Sequence, residues 1–178
     1  GVMQGVLALV WLLGSLLAGE LRRATLHWAA YAGFSAVSFA FLTAALQPDA
    51  PLHAEPLRAL GNVFGIVALI ALQRGIWIFV GKPLRVRGHL LLLAAVLVAS
   101  YLGLSPSGGS IRVSVNSAVL VLLTLGMARD LHRHARDVLR LGSPWLLALP
   151  LLAAAAGFGL RGVRAALWPE SVAAEMTT

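Results

Sequence analysis

The sequence predicts an all-α fold: a polytopic transmembrane bundle of about six helices, with its N-terminus outside, forming one membrane domain. Three observations lead to this prediction. Hydrophobic residues make up 59% of the 178 residues and charged residues 12%, which is about half the charged share of a soluble domain. The mean hydropathy is +0.85. The charged residues are clustered in short segments, and none of these is long enough to fold as a soluble partner domain.

Runs of about 17–25 apolar residues define the individual spans. The first run carries no charge and lacks both a basic leader and a small-residue cleavage motif, so we interpret it as a retained span and not a signal peptide. Short polar segments separate the remaining runs, and the proline-rich "QPDAPLHAEP" cannot cross lipid as a helix. The predicted spans cover residues 1–19, 24–46, 57–80, 89–104, 111–128 and 141–160, with a tail over 161–178.

The distribution of basic residues orients the predicted bundle. Ten of the 14 Lys and Arg residues fall in the first, third and fifth loops, which the positive-inside rule places in the cytoplasm. Trp28, Trp77 and Trp145 lie at the same predicted interface. Arg74 is about 26 Å along the third span, close to the inner edge of a bilayer core of about 30 Å, so its side chain can reach the phosphates. We interpret these four residues as interface anchors; a functional buried charge at Arg74 is the alternative.

Sequence motifs exclude several kinds of chemistry. The chain has no cysteine, so disulfides, thiolate metal sites and cysteine nucleophiles are excluded. The sequence contains no HExxH, GxSxG or Walker motif, and "GFGLRG" matches GxGxxG only at the end of an apolar helix. We therefore expect no enzymatic activity, metal or cofactor. The net charge of +7 is carried by loops between apolar blocks, so the expected partners are the bilayer and anionic lipid headgroups, and not nucleic acid.

Several histidine and acidic residues raise the question of a haem, metal or cation site. A bis-histidine haem site at His27 and His89, a metal site at the "HRH" of residues 132–134, and a cation site at Asp49, His53 and Glu55 are conceivable. Nothing in the sequence brings further ligands to any of these sites, so solvation at the interface or in a loop is the favoured interpretation.

Glycine and asparagine residues distinguish the third and fifth spans. Gly61 and Gly65 form a GxxxG motif, which lets another backbone approach closely in helix packing or in dimerisation. The buried polar inventory suggests a small apolar or weakly polar ligand, although polar bonding between helices explains the same residues. The candidates for lining a ligand pocket are Asn62, Phe64, Tyr101, Ser114 and Asn116.

Two longer stretches carry a family resemblance. These are "ELRRATLHWAAYAGFSA" and "LQRGIWIFVGKP", the second of which contains an arginine–glycine step, an aromatic cluster and a Gly-x-Pro. The chain resembles the N-terminal membrane sensor regions that precede GGDEF diguanylate cyclase domains in proteobacteria. The resemblance implies a homodimer in the bacterial inner membrane whose output is cyclic di-GMP signalling. The sequence has no GGDEF-like motif, so a cyclase domain would lie beyond a further span in a larger receptor.

These observations favour a non-catalytic sensor or regulatory module that couples an external or membrane signal to a cytoplasmic output. A small transporter or channel is the alternative. No Asp or Glu lies inside a predicted span, which argues against ion-coupled transport but not against a passive pore. An intramembrane enzyme is disfavoured by the same shortage of acids and bases.

Overall fold

The computed structural model describes residues 2–17, 19–47, 54–105, 108–139 and 145–168, and all secondary structure in these ranges is helical. This confirms the predicted all-α class over the described part of the chain. A short 3-10 turn at Gly19–Leu21 joins the first two helices. The six α-helices are α1 (Val2–Leu17), α2 (Arg22–Ala44), α3 (Ala54–Phe79), α4 (Val86–Leu102), α5 (Gly109–Leu139) and α6 (Trp145–Leu167).

Helices α5 and α6 extend well beyond the predicted spans of residues 111–128 and 141–160, and α6 continues to Leu167 through residues that were predicted as a tail. Helix α3 begins at Ala54, so Glu55 lies in its first turn, and α5 continues through Asp130 to Leu139. The polarity of residues 129–139 suggested a separate segment after the fifth span. The helix continues because this segment contains neither glycine nor proline, and its Ala, Arg and Leu residues are good helix formers.

The helices pack mainly in neighbouring pairs. The most extensive contacts are between α2 and α3, α5 and α6, and α1 and α2, while α3 and α4 also contact α5. A central cluster of Ile66, Val96, Val119 and Leu123 joins α3, α4 and α5. Helix α5 is therefore the element that connects the two sides of the bundle.

The C-terminal end of α3 has a defined turn. Gly81 has a φ of 73°, a left-handed conformation that glycine adopts without steric cost. The Lys82 N–H donates to the Trp77 carbonyl at 2.8 Å and the Gly81 N–H to the Ile78 carbonyl at 3.1 Å, which is the Schellman pattern. The turn directs Lys82 back towards the end of α3.

Large apolar side chains lie on the outside of the helices, whereas small and polar side chains lie inside. Most of the buried apolar residues are alanines, and the buried polar residues include Ser35, Gln73 and Asn116. Exposed apolar residues include Leu9, Leu13, Leu91, Val98 and Leu160, each at least 59% exposed. The usual inside–outside distribution of a soluble domain is thus reversed over much of the described surface.

Two of the described helices are long and apolar enough to cross a membrane. They are Ala54–Phe79 and the Gly109–His134 part of α5, judged by length and composition. Met3–Leu16 and Val86–Leu102 are apolar but shorter. The two long helices are consistent with the predicted membrane protein, and core helices of soluble proteins can pass the same test.

Candidate functional site

A cavity of about 260 Å³ lies among α2, α3, α5 and α6, and we call it the asparagine pocket. Asn62 of α3 and Asn116 of α5 both line it, together with Tyr31 and Ser35 of α2 and Arg161 of α6. The remaining wall is largely apolar and is formed by Ser38, Phe39, Leu42, Gly61, Gly65, Ile66, Leu69, Leu120 and Phe158.

The close approach of α2 to α3 forms one side of the asparagine pocket. The Ser38 hydroxyl donates to the Gly61 carbonyl at 2.7 Å. A Cβ atom at Gly61 would lie 2.7 Å from Leu42 Cγ, and one at Gly65 would lie 3.1 Å from the Ser38 hydroxyl oxygen. The GxxxG motif of α3 therefore packs against α2, because the absence of a side chain at Gly61 and Gly65 allows the neighbouring helix to approach closely.

Asn116 is the most unusual residue in the pocket. Its side chain is 3% exposed, and among the described residues neither its Oδ1 nor its Nδ2 has a hydrogen-bond partner. Leaving a buried polar group without a partner costs about 1–3 kcal/mol. A buried amide of this kind in a native structure calls for an explanation, and Asn116 also lines the adjoining cavity.

Arg161 is the one charged residue among those that line the asparagine pocket. It is exposed, whereas Ser35 is buried and Asn62 is half-buried. The pocket therefore combines an apolar wall, several hydrogen-bonding groups and one positive charge. It suits a small molecule with an apolar body and a polar or anionic end.

The other three predicted lining residues lie elsewhere. The Phe64 ring packs against the rings of Phe34 and Phe41, with centroids 6.2 and 5.5 Å away. Tyr101 is 76% exposed on α4, and the Ser114 hydroxyl lies 3.5 Å from the Gly162 carbonyl at the contact of α5 with α6.

Residues of α2 and α6 complete the pocket, and sequence reasoning did not assign them to it. Tyr31, Ser35 and Ser38 recur at helical spacing along α2, so they form a polar stripe on an otherwise apolar helix. This stripe was the available sequence signal for α2. The sequence carries no comparable signal for Arg161.

A second polar cluster lies where the C-terminal end of α3 meets α5, and we call it the Asp130 cluster. The Trp77 indole N–H donates to Asp130 Oδ2 at 2.7 Å, and the Lys82 ammonium forms an ion pair with Asp130 Oδ1. The His89 ring stacks on Trp77 with centroids 5.0 Å apart, while His89 Nε2 lies 2.8 Å from Gln73 Oε1. The cluster ties α3, its following turn, α4 and α5 together.

A third charged group joins the opposite end of α3 to the start of α5. Arg112 is 1% exposed, and its Nη1 lies 2.5 Å from Glu55 Oε2 and 3.1 Å from the Gly103 carbonyl. Arg58 contacts the other Glu55 oxygen at 2.7 Å. The buried guanidinium is thereby neutralised, and this group is best explained as structural.

The predicted interface anchors lie around the C-terminal end of α3 and the neighbouring parts of α2, α5 and α6. Trp28 packs against Phe79 with centroids 5.9 Å apart, and Trp145 packs against His132 at 4.1 Å. Trp77 belongs to the Asp130 cluster. Arg74 is half-buried, and its Nε has no hydrogen-bond partner.

The histidines considered as metal ligands bind protein groups. Nδ1 of His27 lies 2.8 Å from the Arg23 carbonyl, and Nδ1 of His134 lies 2.9 Å from the Asp130 carbonyl. Over the described residues, no group of three or more His, Cys, Asp or Glu is arranged to hold a metal ion. Asp49 and His53 lie outside the described residues.

Comparisons of the chain with protein-family models, with curated proteins and with solved structures find no match. The functional interpretation of the asparagine pocket therefore depends on its own geometry.

Proposed function

We propose that the chain is a membrane-embedded, non-catalytic sensor module that binds a small, weakly polar or anionic ligand in the asparagine pocket. The single observation that carries this proposal is the buried Asn116 amide, which lines a cavity and has no partner for either of its polar atoms. A ligand shifts an equilibrium between two conformations only if it binds one of them more tightly. A sensor therefore needs a site with hydrogen-bonding groups that its ligand, and not the protein, completes.

The distribution of side chains supports a location in the membrane. Exposed residues of α1, α4 and α6 include many large aliphatic side chains, and a water-soluble monomer rarely exposes so much continuous apolar surface. Small residues and polar groups lie between the helices instead, as is typical of helices packed in lipid. We propose six spans in the bacterial inner membrane, with the loop between α3 and α4 on the cytoplasmic side.

The continuity of α3 and α5 supports a signalling role. Each helix lines the asparagine pocket through one asparagine and contributes to the Asp130 cluster through a second residue, Trp77 or Asp130. Along α5, Asn116 and Asp130 are separated by about 21 Å of unbroken helix. A small displacement of α5 upon ligand binding would reach the Asp130 cluster, because packed helices move as rigid elements.

The output that we propose is cyclic di-GMP signalling by a homodimer, on the basis of the resemblance in "LQRGIWIFVGKP" and "ELRRATLHWAAYAGFSA". In this arrangement the catalytic domain is separate from the residues of this chain. Signal transmission would proceed through the helix ends on the cytoplasmic side.

The experiment compares wild-type protein with Asn116→Leu and with Ser114→Ala as a matched control on the same helix. Each protein is delipidated and reconstituted into phosphatidylcholine nanodiscs, and its thermal unfolding is followed with and without decanoate or decanamide as probes. Mass spectrometry of organic extracts from the parallel preparations identifies co-purifying small molecules. We expect a stabilising probe or a bound compound in wild type and Ser114→Ala but not in Asn116→Leu. Identical behaviour of all three proteins would reject ligand sensing at this pocket.

A further inference from the structure

A second cavity, of about 660 Å³, lies at the N-terminal end of α4, and we call it the α4 pocket. Its polar lining residues are Gln73, Arg85, Arg87 and His89, and its other lining residues are Trp77, Leu84, Val86, Gly88 and Leu92. The cavity is within the size range of small-molecule and headgroup sites, about 300–1,000 Å³.

We propose that the α4 pocket binds a phospholipid whose headgroup combines an anionic phosphate with free hydroxyl groups, of which phosphatidylglycerol is the representative. This inference rests on the proposed membrane location and is independent of the asparagine pocket. The site would hold one lipid of the leaflet that contacts the turn between α3 and α4.

The charges around the α4 pocket favour a phosphate. Arg85 and Arg87 are exposed and line the cavity, and none of the described residues that line it is acidic. Asp130 touches the lining residue Trp77, but both of its carboxylate oxygens are already bound, by Trp77 and by Lys82. Two arginines therefore line the cavity, and none of its described lining residues is acidic; such basic pockets between membrane helices suit anionic headgroups.

The backbone at the start of α4 adds further donors. Arg85 is the N-cap residue, in an extended conformation, and its side chain does not cap the helix. The first N–H groups of an α-helix have no partner within the helix, and the helix dipole favours negative charge there. Gly88 lies in the first turn, and apart from its chain neighbours and the nearby backbone of α4 no described atom lies within 4 Å of the position that a Cβ would take there. The backbone at this point is therefore open to a ligand.

His89 favours a headgroup with hydroxyls. The ring is 7% exposed, its Nε2 lies 2.8 Å from Gln73 Oε1, and its buried Nδ1 has no hydrogen-bond partner in the part of the chain that the structure describes. Because the amide oxygen of Gln73 accepts, Nε2 carries the proton of the neutral ring and Nδ1 is left as an acceptor. A headgroup hydroxyl supplies the donor that Nδ1 lacks, whereas the phosphodiester and trimethylammonium groups of a choline headgroup carry no O–H or N–H donor.

The surface beside the α4 pocket suits acyl chains. Leu84 and Val86 line the cavity and are 41% and 46% exposed, while the neighbouring Leu90 and Leu91 are 59% and 73% exposed. A lipid with its phosphate at Arg85 and Arg87 can lay its chains along this face of α4. A free phosphate would leave this apolar surface unused.

Native mass spectrometry of the full chain with equal amounts of dioleoyl phosphatidylglycerol, phosphatidic acid and phosphatidylcholine tests the proposal. We expect wild type to retain phosphatidylglycerol preferentially. Arg85→Gln/Arg87→Gln should lower that retention roughly tenfold or more, whereas Arg22→Gln/Arg23→Gln, which removes the same charge at the start of α2, should leave it unchanged. Gly88→Leu keeps every charge but adds a bulky side chain at a lining position of the cavity, and should also weaken the preference, in contrast to Gly157→Leu on α6. Thermal unfolding of each variant verifies that it is folded.

Several results would overturn the proposal. If Arg85→Gln/Arg87→Gln and Arg22→Gln/Arg23→Gln lose phosphatidylglycerol retention equally, the retention depends on surface charge in general and not on the α4 pocket. Equal retention of phosphatidic acid and phosphatidylglycerol would contradict the headgroup, and full displacement by millimolar inorganic phosphate would assign the pocket to the free anion. Retention of no phospholipid at all would contradict the membrane location itself.

The Asn116→Leu variant separates the two sites. We expect it to retain phosphatidylglycerol unchanged, because the α4 pocket is independent of the asparagine pocket.

Discussion

Trp77 of α3 donates its indole N–H to the Oδ2 atom of Asp130 on α5 at 2.7 Å. The carboxylate is buried and also forms an ion pair with Lys82, in the turn that follows α3. This arrangement fixes the end of α3 against α5, the helix that continues to the asparagine pocket. Four substitutions test this contact, the unpartnered Asn116 amide, the close approach of α2 to α3, and the ion pair of Glu55 with Arg112.

Removal of the indole donor should destabilise the bundle. In Trp77→Phe a smaller aromatic ring without an N–H remains, so Asp130 Oδ2 loses its hydrogen bond in a buried position, at a cost of about 1–3 kcal/mol. The measurement is reversible unfolding in mixed micelles with increasing dodecyl sulfate. Trp145→Phe is the matched control, because Trp145 is 52% exposed and the described residues give its indole N–H no hydrogen bond. Equal stability of the two variants would show that the contact with Asp130 contributes nothing.

Replacement of Asn116 by leucine should stabilise the ligand-free protein. The buried amide has no partner for either polar atom, so its removal relieves a desolvation cost of about 1–3 kcal/mol, and the cavity beside it provides space for the larger side chain. The same variant should lose ligand binding, because substitutions that stabilise a protein at its binding site commonly reduce its function. Thermal unfolding of delipidated wild type, Asn116→Leu and Ser114→Ala measures the difference. A clear loss of stability in Asn116→Leu would mean that the amide has structural partners.

Introduction of a methyl group at Gly61 should disrupt the packing of α2 on α3. A Cβ there would lie 2.7 Å from Leu42 Cγ and 3.2 Å from the Ser38 carbonyl oxygen, and overpacking of this kind costs about 1–3 kcal/mol. Gly33→Ala is the control, since nothing lies within 4 Å of its Cβ position and alanine is the better helix former. Unfolding in dodecyl sulfate should show a loss for Gly61→Ala and no loss for Gly33→Ala. If Gly61→Ala is as stable as Gly33→Ala, close packing of α2 on α3 at Gly61 does not contribute to stability.

Neutralisation of Glu55 should lower the stability of the protein far more than neutralisation of Arg58, which also contacts the Glu55 carboxylate. Glu55→Gln leaves the buried Arg112 guanidinium without its carboxylate, and an uncompensated buried charge costs about 3–5 kcal/mol. Arg58→Gln removes a contact between two partly exposed side chains, which is worth about 1 kcal/mol or less. Unfolding midpoints of the two variants and of the wild type provide the comparison. Similar losses in both would show that Arg112 finds compensation elsewhere.

The all-α class and the positions of most helices were predictable from the sequence. Long apolar runs and breaks rich in Pro, Gly and charge are local signals, and the secondary structure of the described residues is helical throughout. The start of α3 and the ends of α5 and α6 lie outside the predicted spans, because hydropathy marks where a helix becomes polar and not where its backbone hydrogen bonding ends. Glu55 and Asp130 lie in helices for this reason.

The candidate site was predictable only in part. Asn62 and Asn116 are conspicuous as amides in apolar runs, and both line the asparagine pocket. Phe64 lies near Asn62 in the sequence, yet its ring packs among phenylalanine rings. Tyr101 was expected at a similar depth in the membrane, yet it is exposed. The direction in which a side chain points depends on the rotation of its helix about the helix axis, and a nearly uniform apolar sequence hardly constrains that rotation.

The sequence by itself determined the helical class, the high apolar content of the helices, and the basic character of alternate loops, because these properties depend on composition and on local order along the chain. The tertiary structure alone decided that α2 and α6 complete the asparagine pocket, that Asp130 binds Trp77 and Lys82, and that Arg85, Arg87 and His89 surround one cavity. These relationships depend on which helix faces meet. That choice is made by close packing between surfaces that are distant in the sequence.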